Sequence, residues 1–108
     1  MDLTRQQAET LQRLDALGFV IVAFPMYANY IGVRKGDCAA LLAQAPSGGF
    51  TVFGTPTCMV GENMGARVKQ SDGDYFVWKT ERVAATPERT SELEKFSAEL
   101  TSSLTPTV

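Results

Sequence analysis

A chain of 108 residues, 44% hydrophobic and 20% charged, has room for one globular domain with a core of its own, and we take residues 1–108 as a single domain. Its 10 basic and 12 acidic residues leave a net charge of -2, and no window gathers Lys or Arg into the footprint a phosphate backbone requires, which argues against nucleic-acid binding. There is no histidine, and the two cysteines, Cys38 and Cys58, match neither a C-x-x-C redox pair nor a zinc ligand set, so no structural metal is expected.

The chain opens on a helix with its punctuation written out. Thr4 can cap it, Gln7 can return the hydrogen bond as a capping box, and Leu11, Leu14 and Leu17 make one apolar stripe. Gly18 stands where a left-handed C′ residue belongs, with Phe19 able to reach Leu14 in a Schellman end, so the helix is predicted from about Arg5 to Leu17.

The run from Phe19 to Phe24 is rich in β-branched and aromatic residues and bounded by Gly18 and Pro25, which predicts a strand buried on both faces in the middle of a sheet. It lies inside a charge-free span, Ala16 to Val33, long enough to raise the question of a membrane helix. Pro25, Asn29 and two glycines argue against one. The preceding segment mixes Asp2, Glu9 and Asp15 with Arg5 and Arg13 and so lacks the positive start of a signal peptide. The expectation is a cytoplasmic protein with no membrane partner, in which a lone disulfide is not indicated.

Met26 to Val33 alternates as a second strand, and Arg34 to Asp37 reads as a reversal through a three-residue loop with Gly36 left-handed. Residues 38–45 have high helix propensity, and Asp37 could cap a helix there. The preceding turn, and the need of a central strand for antiparallel neighbours, decide for a strand instead. Phe50 to Phe53 is a short strand. From Gly54 to Gly65, three glycines and a proline predict an irregular loop with at most a brief extended piece around Cys58 to Val60.

Ala66 to Gln70 and Tyr75 to Lys79 make a hairpin. A turn through Ser71, Asp72 and a bulged Gly73 would set Val68 against Phe76 and Ala66 against Trp78, separating an apolar from a mixed face. Thr86, Pro87 and Glu88 open a second helix, with Leu93, Phe96, Leu100 and Leu104 at helical spacing and Thr105 to Val108 frayed. The predicted fold is α+β: an antiparallel meander of about five or six strands with the terminal helices packed over one face, the alternative being a strongly curled, partly closed barrel with flanking helices.

Chemistry is thinly written. Cys38 and Cys58 are the only strong nucleophiles, yet without histidine they read better as small buried hydrophobes. No glycine motif for nucleotide phosphates occurs, and no cofactor is expected. The balance leans away from an enzyme; a small enzyme or ligand-binding protein using the 54–65 loop, with Cys58 or Glu62, is the alternative. The preferred expectation is a non-catalytic interaction module that binds a protein partner or forms a homodimer, because Cys38 to Gly61 holds no charge and a small domain can bury only part of such a stretch. Its candidate surface comprises Tyr27, Tyr30, Cys58, Met59, Glu62, Asn63 and Met64.

Overall fold

The first helix, α1 (Arg5–Ala16), is closed at both ends by the bonds its sequence offers. The structure, a computed structural model, describes residues 3–104; the fraying expected from Thr105 to Val108 lies outside them. The Thr4 side chain accepts from the Gln7 N–H at 3.0 Å, and the Gln7 side chain accepts from the Thr4 N–H at 3.0 Å. At the other end Phe19 N–H donates to the Leu14 carbonyl and Gly18 N–H to that of Asp15, with Gly18 at φ +93°, which is the Schellman arrangement.

Among the described residues eight strands follow, divided between two antiparallel sheets. Strands β1 (Val20–Val22), β2 (Ile31–Lys35), β3 (Cys38–Gln44), β4 (Phe50–Val60) and β5 (Asn63–Met64) lie in that order in a sheet curled into a half-barrel. Strands β6 (Ala66–Gln70), β7 (Gly73–Trp78) and β8 (Glu81–Ala84) form the second sheet. Helix α2 (Pro87–Leu104) ends the described chain, with Pro87 in its first turn and Thr86 Oγ1 accepting from the Arg89 N–H at 3.2 Å. The class is α+β, with antiparallel sheets between helices at the two ends.

Strand alternation explains where the core sits. Val33, Cys38, Ala40, Leu42, Phe50, Cys58 and Val60 face the helices and close over Leu14 of α1 and Phe96 and Leu100 of α2. Phe19 joins them, its ring 5.3 Å from that of Phe96. The opposite face of β3 is also buried, at Ala39 and Leu41, so five consecutive residues from Cys38 to Leu42 are out of water. Small side chains let both layers approach this strand closely.

Several expectations are corrected here. The centre of the sheet is β3, whereas the run at Phe19 to Phe24 supplies only the three-residue edge strand β1, with Val20 58% and Ile21 46% exposed. Hydrophobicity alone does not distinguish an apolar edge from a centre. Pro25 begins a 3₁₀ turn (Pro25–Tyr27) instead of continuing a strand, because its fixed φ suits a first helical position, and β2 starts at Ile31. The reversal after Lys35 has two residues, Gly36 and Asp37, with only Gly36 at positive φ, the pattern of a type II′ turn.

The 54–65 segment is mostly strand. Between the pairs Ala39 with Thr57 and Leu41 with Phe53, one residue of β3 faces three of β4, Gly54, Thr55 and Pro56. Two extra residues preserve the alternation, so Phe50 and Val52 stay on the same face as Cys58 and Val60. Gly54 at φ +70° and Pro56 without an N–H serve a bulge, not a loop.

The hairpin register is also one residue from that expected. Arg67 pairs with Phe76, Val68 with Tyr75 and Ala66 with Val77, around a two-residue turn of Ser71 and Asp72. All five residues of β6 are exposed, so no core face was available to select the expected register. Strand β8, unread in the sequence, completes that sheet by pairing Phe76 with Val83.

Candidate functional site

On the face of the half-barrel away from the helices, four elements converge on a groove. The 3₁₀ turn presents the first wall: Tyr27 N–H donates to the Phe24 carbonyl at 2.8 Å and Tyr30 N–H to the Tyr27 carbonyl at 3.0 Å, which holds the two tyrosines on successive turns. Phe24 is seated over Gly32, where a Cβ would lie 2.5 Å from its ring. Only glycine leaves that space.

The β4 bulge supplies the floor. Its Gly54 and Thr55, with Leu41 and Phe53, line a depression of about 250 Å³ that also includes Tyr27, Met64 and Trp78. An adjoining cleft of about 380 Å³ shares the same Tyr27, Met64 and Trp78 and adds Phe24, Met26, Glu62 and Asn63. Among the described residues Glu62, on the turn between β4 and β5, is the single charged one lining either hollow. Trp78 ends β7, so the groove lies where the second sheet meets the first.

Tyr27, Glu62, Asn63 and Met64 are thus brought together, as candidates from the sequence. Tyr30 joins them indirectly by stacking on Phe53, with ring centroids 4.2 Å apart. Cys58 and Met59 do not belong to the surface. Cys58 is 1% exposed in the helix-facing core, and Met59, opposite Met64 across β4 and β5, is 7% exposed. Phe53 and Trp78, which were not singled out in the sequence as surface candidates, are groove walls, with Phe53 45% exposed and Trp78 also packed against the core. The signal that could have found Phe53 was the Gly54 and Pro56 pair read as a bulge, which turns the end of the 50–53 run outward.

On the helical side a hollow of about 390 Å³ lies between α2 and the β2–β3 turn, lined by Lys35, Cys38, Glu92, Lys95, Phe96 and Glu99. Two of its charges pair directly: Lys35 Nζ is 2.5 Å from Glu99 Oε1, and it also lies 5.2 Å above the Phe19 ring. Both cysteines are free thiols. Burial pushes the Cys38 thiol up to about 12, with the neighbouring Cys58 adding to the effect. Burial also raises Cys58, partly offset by a hydrogen bond from Cys38 and the charge of Arg89. Neither offers a ready thiolate.

Among the described residues no group of three or more Cys, Asp or Glu is placed to hold a metal ion, and no helix is long and apolar enough to cross a membrane. Comparison of the chain with protein-family models, curated proteins and solved structures gives no significant match. The groove is therefore interpreted from its own geometry.

Proposed function

We propose that the protein is a non-catalytic binding module whose partner, in the first instance a second copy of the same chain, docks apolar and aromatic side chains into the groove of Tyr27, Phe53, Met64 and Trp78. The observation that carries this is the convergence of those side chains, from four separate elements, on a surface with one charge. Interface centres are enriched in aromatics and methionine and depleted of Lys, Glu and Asp. Met26, 69% exposed at the rim, extends the same apolar surface. The cytoplasm is the setting that goes with two reduced cysteines.

Light scattering on the purified chain across a concentration series tests the proposal, with Phe53→Asp alongside it and the emission of Trp78, the single tryptophan, as a local reporter. The expected result is a mass that doubles with concentration, a blue-shifted Trp78 emission on association, and a monomeric Phe53→Asp with native circular dichroism. A monomer at every concentration overturns self-association, and a dimer that survives Phe53→Asp places it elsewhere.

A second reading rests on the cleft of about 380 Å³, which falls within the usual range for small-molecule pockets. An apolar ligand of modest size would sit against Trp78, with Glu62 and Asn63 as the polar groups that orient it. Saturable quenching of Trp78 by an apolar fluorescent probe, lost in Met64→Asp, distinguishes this reading from the dimer.

A further inference from the structure

Cys38 and Cys58 are direct partners across β3 and β4, and the backbone shows which kind of pair they form. Met59 N–H donates to the Asp37 carbonyl at 2.7 Å, while the Cys58 carbonyl accepts from Gly65 N–H at 3.1 Å on the other side of the strand. The hydrogen-bonded pair is thus Asp37 with Met59, and the cysteines beside it are a non-hydrogen-bonded pair. Such pairs bring their Cα atoms to about 4.5 Å with side chains leaning together, inside the range of about 4.4–6.8 Å that a disulfide spans without moving the backbone. Both side chains point into the same core layer and already hydrogen-bond one another.

We propose that Cys38 and Cys58 form a redox-responsive dithiol that closes into an intramolecular cross-strand disulfide, with a low-molecular-weight disulfide as the oxidant. A cysteine thiolate attacks one sulfur of RSSR, forming a protein–SR mixed disulfide and releasing the first thiolate, which leaves as RSH. The second cysteine then attacks the protein sulfur of that mixed disulfide and releases a second RSH. Two protein thiols are oxidised to one disulfide, RSSR is reduced to two thiols, and the two protons leave with them. Cys38 lines the hollow between α2 and the β2–β3 turn, which gives a small reagent its approach. Burial keeps the thiols mostly protonated, so exchange in the folded chain is slow and follows local opening. Disulfides in cytosolic proteins are characteristically transient and redox-sensing, and this pair has the geometry for that role. The inference does not depend on the groove, which lies on the other face of the sheet.

The full chain, refolded from urea into a series of reduced and oxidised glutathione mixtures, then acid-quenched, alkylated and weighed, provides the test. Expected is a monomer two hydrogens lighter, with both cysteines protected from alkylation, that accumulates as the mixture becomes oxidising. It should keep native circular dichroism, melt roughly 10 °C higher through the loop it closes, and return to the dithiol with dithiothreitol. Cys38→Ser and Cys58→Ser should each remain a free thiol or stop at the glutathione adduct. A wild-type chain that stays dithiol in every mixture, ends as glutathione adducts or intermolecular dimers, or loses native circular dichroism when the bond closes overturns the proposal. These wild-type outcomes decide it even if either variant fails to fold.

Discussion

Tyr30 lies stacked on Phe53, their ring centroids 4.2 Å apart and their planes inclined by 18°. The pair links the turn that follows β1 to the bulged part of β4, two segments distant in sequence that together shape the groove. Offset aromatic pairs contribute about 1 kcal/mol beyond the area they bury. A double-mutant cycle with Tyr30→Ala and Phe53→Ala should therefore show a coupling of about 1 kcal/mol in urea unfolding. Strict additivity of the two substitutions would mean the stack contributes nothing to stability.

Gly32 is where β2 passes under Phe24, and an added Cβ there would lie 2.5 Å from the phenyl ring and 2.6 Å from the Val22 carbonyl oxygen. The ring could swing away, but the carbonyl belongs to the paired strand β1 and cannot. Gly32→Ala is expected to cost about 2 kcal/mol as an overpacking substitution and to unseat Phe24 from the groove wall. Urea unfolding reads the first effect and Trp78 emission the second. An unchanged midpoint would show that β1 yields more easily than a paired strand should.

The helices were legible almost to the residue, because capping and C′ glycine signals are local: Thr4 with Gln7, Gly18, and Thr86 with Pro87 each act within a few positions. Strand β3 was legible from its context, through the turn at Gly36, against its own helix propensity. What could not be read was long-range. That β1 is an edge depends on nothing pairing beyond Val20 to Val22, which no local pattern records. The β4 bulge was hidden because Gly54 and Pro56 carry the same letters as a loop, and only pairing with β3 shows otherwise. The groove followed the same rule. Tyr27 and Met64 were found through the charge-poor surface and Glu62 through the 54–65 segment, whereas Trp78 arrives from the second sheet, and Met59, on the face of β4 opposite Cys58, is covered because both faces of β4 are buried from Thr57 to Val60.

Folded-state burial raises both thiols above their ordinary value of 9.0, with Cys38 pushed up to about 12. Above pH 9 the unfolded chain has released protons that the folded chain still holds, so stability is full below that pH and falls as pH rises toward 12. The urea midpoint of the reduced protein should decline from pH 9 to pH 11, and the decline should be shallower in Cys38→Ser. Comparison with the variant removes the contribution of other groups that titrate in this range, Tyr75 among them, whose bond with Asp72 raises it. Parallel pH profiles for the two proteins would show that the thiols are not held protonated by the fold.

Gln7 is 2% exposed and fastens both the start of α1 and the loop between β3 and β4 with one side chain. Its Oε1 accepts from Thr4 N–H to complete the helix cap, and its Nε2 donates to the Gly49 carbonyl at 2.9 Å, docking the loop between β3 and β4 against α1. Gln7→Ala strands the buried Gly49 carbonyl and releases the part-buried Thr4 N–H, and should cost about 2 kcal/mol, the penalty for one unsatisfied buried group added to a lost cap bond. Gln7→Glu separates the two bonds. A carboxylate still accepts from Thr4, but it turns an acceptor toward the Gly49 carbonyl, so at neutral pH the variant should be destabilised. Burial and that carbonyl both favour the protonated acid, which can donate, and raise the folded-state value above the unfolded one of about 4.3. The stability deficit relative to the wild type should then shrink as pH falls through 5 and grow as pH rises. A deficit independent of pH between 4 and 7 would show that the Gly49 bond carries no weight and that the cap alone makes Gln7 matter.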